Sequence, residues 1–164
     1  MRTVLAVTIA LALCASSAAS ARTNPSIDLS QMVSAYQQVQ VVRVIERFEN
    51  GAVATVEVMP SGQYRIASTG GQDPVLIVKL ATQPIPDLTS GSAATAYTAK
   101  SLGTKSIDAV KVNGYSIANA DGSYKATVWV NERHLPVSAD VQTQGHRVNV
   151  TFGDYNNSML IGVR

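Results

Sequence analysis

Val112-Asn113-Gly114-Tyr115-Ser116-Ile117, Tyr124-Lys125-Ala126-Thr127-Val128-Trp129-Val130 and His146-Arg147-Val148-Asn149-Val150-Thr151-Phe152 alternate apolar and polar residues through the last third of the chain. Ala120-Asp121-Gly122 separates the first two runs. A short polar link, Leu135-Pro136-Val137 and then Gln144-Gly145 lead to the third, and Asp154-Tyr155 closes it. A period of two puts alternate side chains on opposite faces of a strand, and Gly or polar breaks turn the chain back. Val110 to Asn156 therefore reads as one up-and-down antiparallel meander. No catalytic triad, metal cluster or phosphate loop interrupts it.

The alternation continues upstream. Val41 to Glu49 is β-branched and ends at Asn50-Gly51, a hairpin signal because both residues tolerate positive φ. Ala52 to Met59 returns, Pro60-Ser61-Gly62 turns the chain, Gln63 to Ser68 is a third strand, and Gly70-Gly71 turns it again. Val75 to Leu80, almost continuously apolar, reads as a strand buried on both faces or covered by a loop. Gln83 to Ala99 carries Pro84, Pro86, Gly91 and a Ser/Thr/Ala-rich stretch, which reads as a loop: either a surface linker or a flap over the sheet. Strands resume at Leu102, giving roughly eight in all. The clear helix is Ile27 to Gln38, where Leu29, Met32, Val33 and Tyr36 form one apolar stripe and Ser26 or Asp28 can cap the start. A helix this short is marginal alone and must lie on the sheet.

The first residues read as an export signal. Arg2 is a basic start, Val4 to Leu13 is apolar or small, and Ala19-Ser20-Ala21 offers a small-x-small cleavage site. That apolar run is half of the roughly twenty residues a membrane span needs. Leu13 before Cys14 disfavours lipidation, which wants a small residue there. Residues 1–21 are thus expected to be a secretory signal peptide and 22–164 one domain, cysteine-free, periplasmic or extracellular, and without a membrane span. The whole chain has 13 Lys+Arg against 11 Asp+Glu, scattered without a basic stripe, so nucleic-acid binding is not expected.

The amphipathic helix, the first strand, Asn50-Gly51, the second strand, Met59-Pro60 and Tyr64-Arg65-Ile66 together resemble the start of the periplasmic lipoprotein carriers and their outer-membrane receptors, the LolA/LolB-like family. Val110 to Tyr115, Val128-Trp129-Val130, Leu135-Pro136-Val137 and Phe152-Gly153-Asp154-Tyr155 are similar to the wider lipoprotein-sorting-like proteins. The resemblance covers most of the chain after the leader. It implies an incomplete, strongly curved antiparallel barrel with helices over its concave face and a cavity for acyl chains or other lipophilic molecules. This chain is shorter than the carriers and has fewer covering helices. The carriers hold an arginine in the cavity; Arg43 or Arg65 could be so placed, but no motif assigns that role.

The expected fold is therefore mainly β, of α+β type: a curved antiparallel sheet or incomplete β-barrel with one N-terminal amphipathic helix over the concave face. Val56, Val58, Tyr64, Ile66, Ile117, Val128, Val130, Val137, Val148, Val150 and Phe152 fall on one face by period-two counting, while Lys125, Thr127, Arg147, Asn149 and Thr151 fall on the other. A candidate ligand-binding face follows: Met32 and Tyr36 of the helix with Val56, Val58, Tyr64, Ile66, Ile117, Val128, Val130, Val148 and Val150. Two readings stand. Either that face leaves a groove for a lipid, or the helix and loop fill it and the protein acts through an envelope protein partner. Tyrosines suit a cavity rim, burying a ring and keeping a polar tip, and Trp129 lies on the polar side. His134 and His146 read as solvated turn residues, no Gly-x-Ser-x-Gly elbow occurs, and Glu46, Glu49 and Glu57 read as a solvated outer face opposite Arg43 and Arg47. No enzyme activity, cofactor or metal is implied.

Overall fold

The computed structural model describes residues 24–59, 63–83, 85–86, 97–143 and 145–157. The expected signal peptide, the Pro60-Ser61-Gly62 turn and most of the expected flap (Pro84 and 87–96) lie outside the described residues.

Helix α1, Pro25–Gln37, opens the described chain. Its cap is Asn24 rather than Ser26 or Asp28: the Asn24 side chain accepts from the Ser26 N–H at 3.1 Å, and Pro25 takes the first helical position, where no N–H is needed. Strands β1 (Val42–Phe48) and β2 (Val53–Val58) form the expected hairpin. Gly51 sits at φ +83, and the Ala52 N–H donates to the Asn50 side chain. Strand β3 (Tyr64–Ser68) follows.

The next segment corrects the sequence reading. Val75–Leu80 is not a strand but the body of helix α2, Pro74–Thr82. Asp73 caps it by accepting from the Val75 N–H at 2.9 Å, Pro74 fills the first position, and Ile77, Leu80 and Ala81 are buried with helical spacing. A second correction follows: strand β4 runs Tyr97–Ile107, so the end of the expected loop is already sheet. Strands β5 (Val110–Asn119), β6 (Tyr124–Asn131), β7 (Pro136–Thr143) and β8 (His146–Gly153) complete the meander.

All eight strands belong to one open, curved antiparallel sheet, in the order β3-β2-β1-β8-β7-β6-β5-β4. The first and last strands meet in its middle, with Val44 opposite Phe152, Glu46 opposite Val150 and Phe48 opposite Val148. Strands β3 and β4 are the two edges. The chain between them must pass from one edge to the other, seven inter-strand steps of about 4.8 Å across a flat sheet. Helix α2 lies on that route, against β2 and β3, while α1 reaches β4. Both helices bury apolar side chains in one cluster with Val42, Val44, Val56, Ile117, Val128, Val148 and Val150, which marks the inner face.

The outer face is polar and crosslinked. Glu57 takes Arg65 Nε at 2.7 Å and Arg43 at 3.5 Å, and Arg43 reaches Asp154 at 2.7 Å. Glu57 is buried beneath these arginines, only 4% exposed, and Glu49 is exposed. Arg43 and Arg65 are both part of this outer network, each paired with Glu57. Trp129 is also outside, half-buried, lying across Gly114 with the Lys105 ammonium 3.6 Å from its ring centre. The cation is attracted to the ring's negative face.

Candidate functional site: the layer between helices and sheet

Helix α1 is tied at both ends. Tyr115 on β5 donates its hydroxyl to Asp28 at 2.8 Å, and Tyr36 in the last turn donates to the Ala81 carbonyl of α2 at 2.6 Å. The Tyr36 ring also stands edge-on against Phe152, with centroids 5.8 Å apart. Burial pushes the Tyr36 and Tyr115 hydroxyls up from the usual tyrosine value, reinforced by Glu46 for Tyr36 and by Asp28 for Tyr115, so each stays a donor.

The eleven residues expected to face a ligand do gather on the inner side. Met32, Tyr36, Val56, Ile117, Val128, Val130, Val148 and Val150 are buried in the cluster shared with the helices; Val58 and Ile66 are partly buried, and Tyr64, near one edge, is 49% exposed. The middle of the face is packed against α1 and α2, and space opens at its margins. The first cleft, about 520 Å3, lies between α2 and one end of the sheet, lined by apolar groups such as Leu76, Leu80 and Tyr124 and by polar ones such as Lys79, Asn119 and Thr143. Two more flank the α1–α2 seam. One of about 290 Å3 is bounded by Tyr36, Val39, Val42, Val58 and Thr82, the other of about 350 Å3 by Met32, Val33, Tyr36, Thr82 and Ile85. These volumes match small-molecule sites.

Among the described residues two polar groups in this layer lack partners: both carboxyl oxygens of Glu46 and the hydroxyl of Tyr124. Glu46 corrects the expectation of a solvated outer residue. It is fully buried on the inner face, opposite Ala54 on β2 and Val150 on β8. Burial among apolar groups penalises its charged form and raises its pKa from the ordinary 4.5 to about 8. Tyr124 packs its ring edge-on against Tyr97 at 5.7 Å, and burial raises its pKa too.

Sequence reasoning put Glu46 on the outer face and the α2 side chains in a strand. The signals were present: Glu46 has the same parity as Val42, Val44 and Phe48, and Asp73-Pro74 is a helix start. His134 sits exposed in a turn and His146 exposed at the start of β8. Among the described residues no group of three or more His, Cys, Asp or Glu could hold a metal ion. Nor is any helix among them long and apolar enough to cross a membrane.

No protein-family model matches the chain, and no curated protein matches it. Solved structures do. The Mycobacterium tuberculosis lipoprotein LppX superposes with a TM-score of 0.54 at 16% identity, over 80% of this chain and 94% of LppX. MucB superposes at 0.52 with 14% identity, over 80% of this chain and 58% of MucB. A LolA-superfamily protein from Nitrosomonas europaea is found at 0.34 and 11% identity, over 81% and 93%, too loose a superposition to argue from. At these identities the likeness is one of fold. That fold, an open antiparallel sheet carrying helices on one face, is shared with LppX and MucB and is the curved, open sheet expected from the sequence.

Proposed function

We propose that this is an exported, non-enzymatic binding protein for a lipid, acyl chain or other hydrophobic molecule, with residues 1–21 as its secretory signal peptide and 22–164 as one periplasmic or extracellular binding domain. The observation that carries this reading is the cleft of about 520 Å3 beside α2. Leu80 lines it and also belongs to the buried cluster, so the cleft abuts the apolar layer that holds Met32, Tyr36 and the inner valines. The ligand's apolar body lies under α2, and α2 and α1 are its cover. The fold shared with the lipoprotein LppX agrees with it. Burial at roughly 25 cal/mol per Å2 of apolar surface suffices to hold a chain without dedicated chemistry. Native mass spectrometry of protein purified from its own host is expected to show a bound lipid. A clean unliganded mass, with no uptake of a fluorescent fatty acid or alcohol, would sink the proposal.

A second reading, an envelope protein partner, is favoured by β4. This edge strand is eleven residues long, exposed over most of its length and carries Lys100 and Lys105. An unpaired edge can accept a partner strand, and MucB, of the same fold, is solved in complex with MucA. Crosslinking from β4 in the native envelope, with no product above background, would dismiss it.

A further inference from the structure

We propose that the layer beneath the α1–α2 seam takes an amphiphile whose apolar chain ends in a hydrogen-bond-donating head, an amine or a hydroxyl, and that Glu46 receives that head. The inference rests on the binding function above and names the ligand class within it.

A buried polar atom without a partner is rare in folded proteins and needs a reason. Glu46 has two, on one carboxyl group that is wholly buried. Among the described residues none donates to it. Across the sheet stand Ala54 and Val150, and along β1 on the same face stand Val44 and Phe48. Tyr36, close enough for the Glu46 charge to act on its hydroxyl, gives its own proton to Ala81 instead. Packing does not explain the residue either, because an apolar side chain of similar volume would remove the desolvation penalty altogether.

Space opens along the same inner face at Val42, which Val44 separates from Glu46 on β1. The clefts of about 290 and 350 Å3 meet at Tyr36, Gln37 and Thr82, on the two sides of the seam. Tyr36 thus lines both clefts, bridges the helices through the Ala81 carbonyl and feels the Glu46 charge. A chain seated there brings its head group to an acceptor already stripped of water. An ammonium head offsets its own desolvation by ionising Glu46 and pairing with it, whereas a carboxylate or phosphate head carries an unpaired charge into the same dry layer and is selected against.

The test uses the delipidated protein loaded with a neutral fluorescent alkyl dye, displaced in turn by dodecylamine, dodecanol and dodecanoic acid. For the wild type, the amine and the alcohol are expected to displace the dye at concentrations about tenfold lower than the acid, the worth of a hydrogen bond to a charged or buried acceptor. In Glu46→Met, which keeps volume and loses both acceptors, that preference disappears while the dye still binds. Glu46→Gln serves as the second variant: it keeps one acceptor, so the alcohol retains its advantage and the amine loses it. The same ranking in wild type and variants overturns the inference and leaves the binding function standing. A dye that binds none of the proteins, with no competitor taken up, overturns the binding function and this inference with it.

Discussion

Replacing Glu46 by Gln is expected to change how stability depends on pH, and the size of the change follows from the burial of one carboxyl. In the unfolded chain this group ionises near 4.5; in the folded chain burial holds the proton until about pH 8. Between those values the folded state carries one proton more than the unfolded, so stability falls as pH rises. The contribution is complete below about 4.5 and spent above about 8. Each pH unit is worth about 1.4 kcal/mol, so the loss sums to about 5 kcal/mol, a large share of the 5–15 kcal/mol that typical domains possess. Local opening that hydrates the carboxylate reduces it. The groups facing Glu46 add no competing titration, since Tyr36 of α1 is itself raised and the facing residues of β2 and β8, Ala54 and Val150, are apolar. Urea melts of wild type and Glu46→Gln at pH 5 and pH 8.5 check this, because the difference between the proteins isolates the one group. The gap should widen by several kcal/mol toward high pH. Parallel stabilities at both pH values would refute the reasoning, and with it the claim that the carboxyl is dry.

Other substitutions test other parts. Gly114→Ala puts a Cβ about 2.7 Å from Trp129 Cη2, against an ordinary contact of 3.4 Å or more, so the ring must leave its seat under Lys105; a loss of about 1–3 kcal/mol and a changed tryptophan emission spectrum are expected, and an unaltered spectrum contradicts the packing described. Tyr36→Phe removes the bond to Ala81 and is expected to cost about 1 kcal/mol while speeding dye uptake in stopped flow, whereas unchanged uptake would mean that the seam is not the way in. Asp73→Ala removes the α2 cap, worth about 1 kcal/mol, and should raise amide exchange in α2 more than in β6. Leu76→Asp places a charge in the cleft beside α2 and should abolish dye binding without unfolding the sheet, as near-unchanged circular dichroism would show.

The strands of the last third were legible because each pairs its neighbour in sequence and shows its alternation plainly, as β6 does with Ala126, Val128 and Val130 inward. The same rule misled at Val75–Leu80. An apolar run of six fits a buried strand or a short helix equally by periodicity, and only Asp73-Pro74 ahead of it decides. The strand at Tyr97–Ala99 was hidden because β4 is an edge, mostly exposed, and has few side chains to bury. Glu46 was misassigned by its charge against its parity, and parity won because β1 lies in the middle of the sheet with a partner on each side. The inner valines were placed correctly as one face. What no local pattern shows is how much of that face the helices cover, since cover depends on where the edge-to-edge crossing runs.

The meeting of β1 and β8 bears on how the chain is made. Arg43 and Asp154, which pair across that junction, are 111 residues apart. The β1–β2 hairpin closes locally and early, yet the other side of β1 keeps its backbone donors and acceptors bare until the last strand has been delivered. Closing so long a loop is slow, and high contact order slows folding by orders of magnitude relative to local topologies. A nascent chain therefore presents β1, a β-branched strand with one edge unpaired, for the whole time its C-terminal half is arriving. Such an edge pairs readily with another copy. Productive folding of this protein depends on keeping β1 solitary until β8 reaches it, and substitutions in β8 that weaken the pairing should reduce the yield of folded protein more than its final stability.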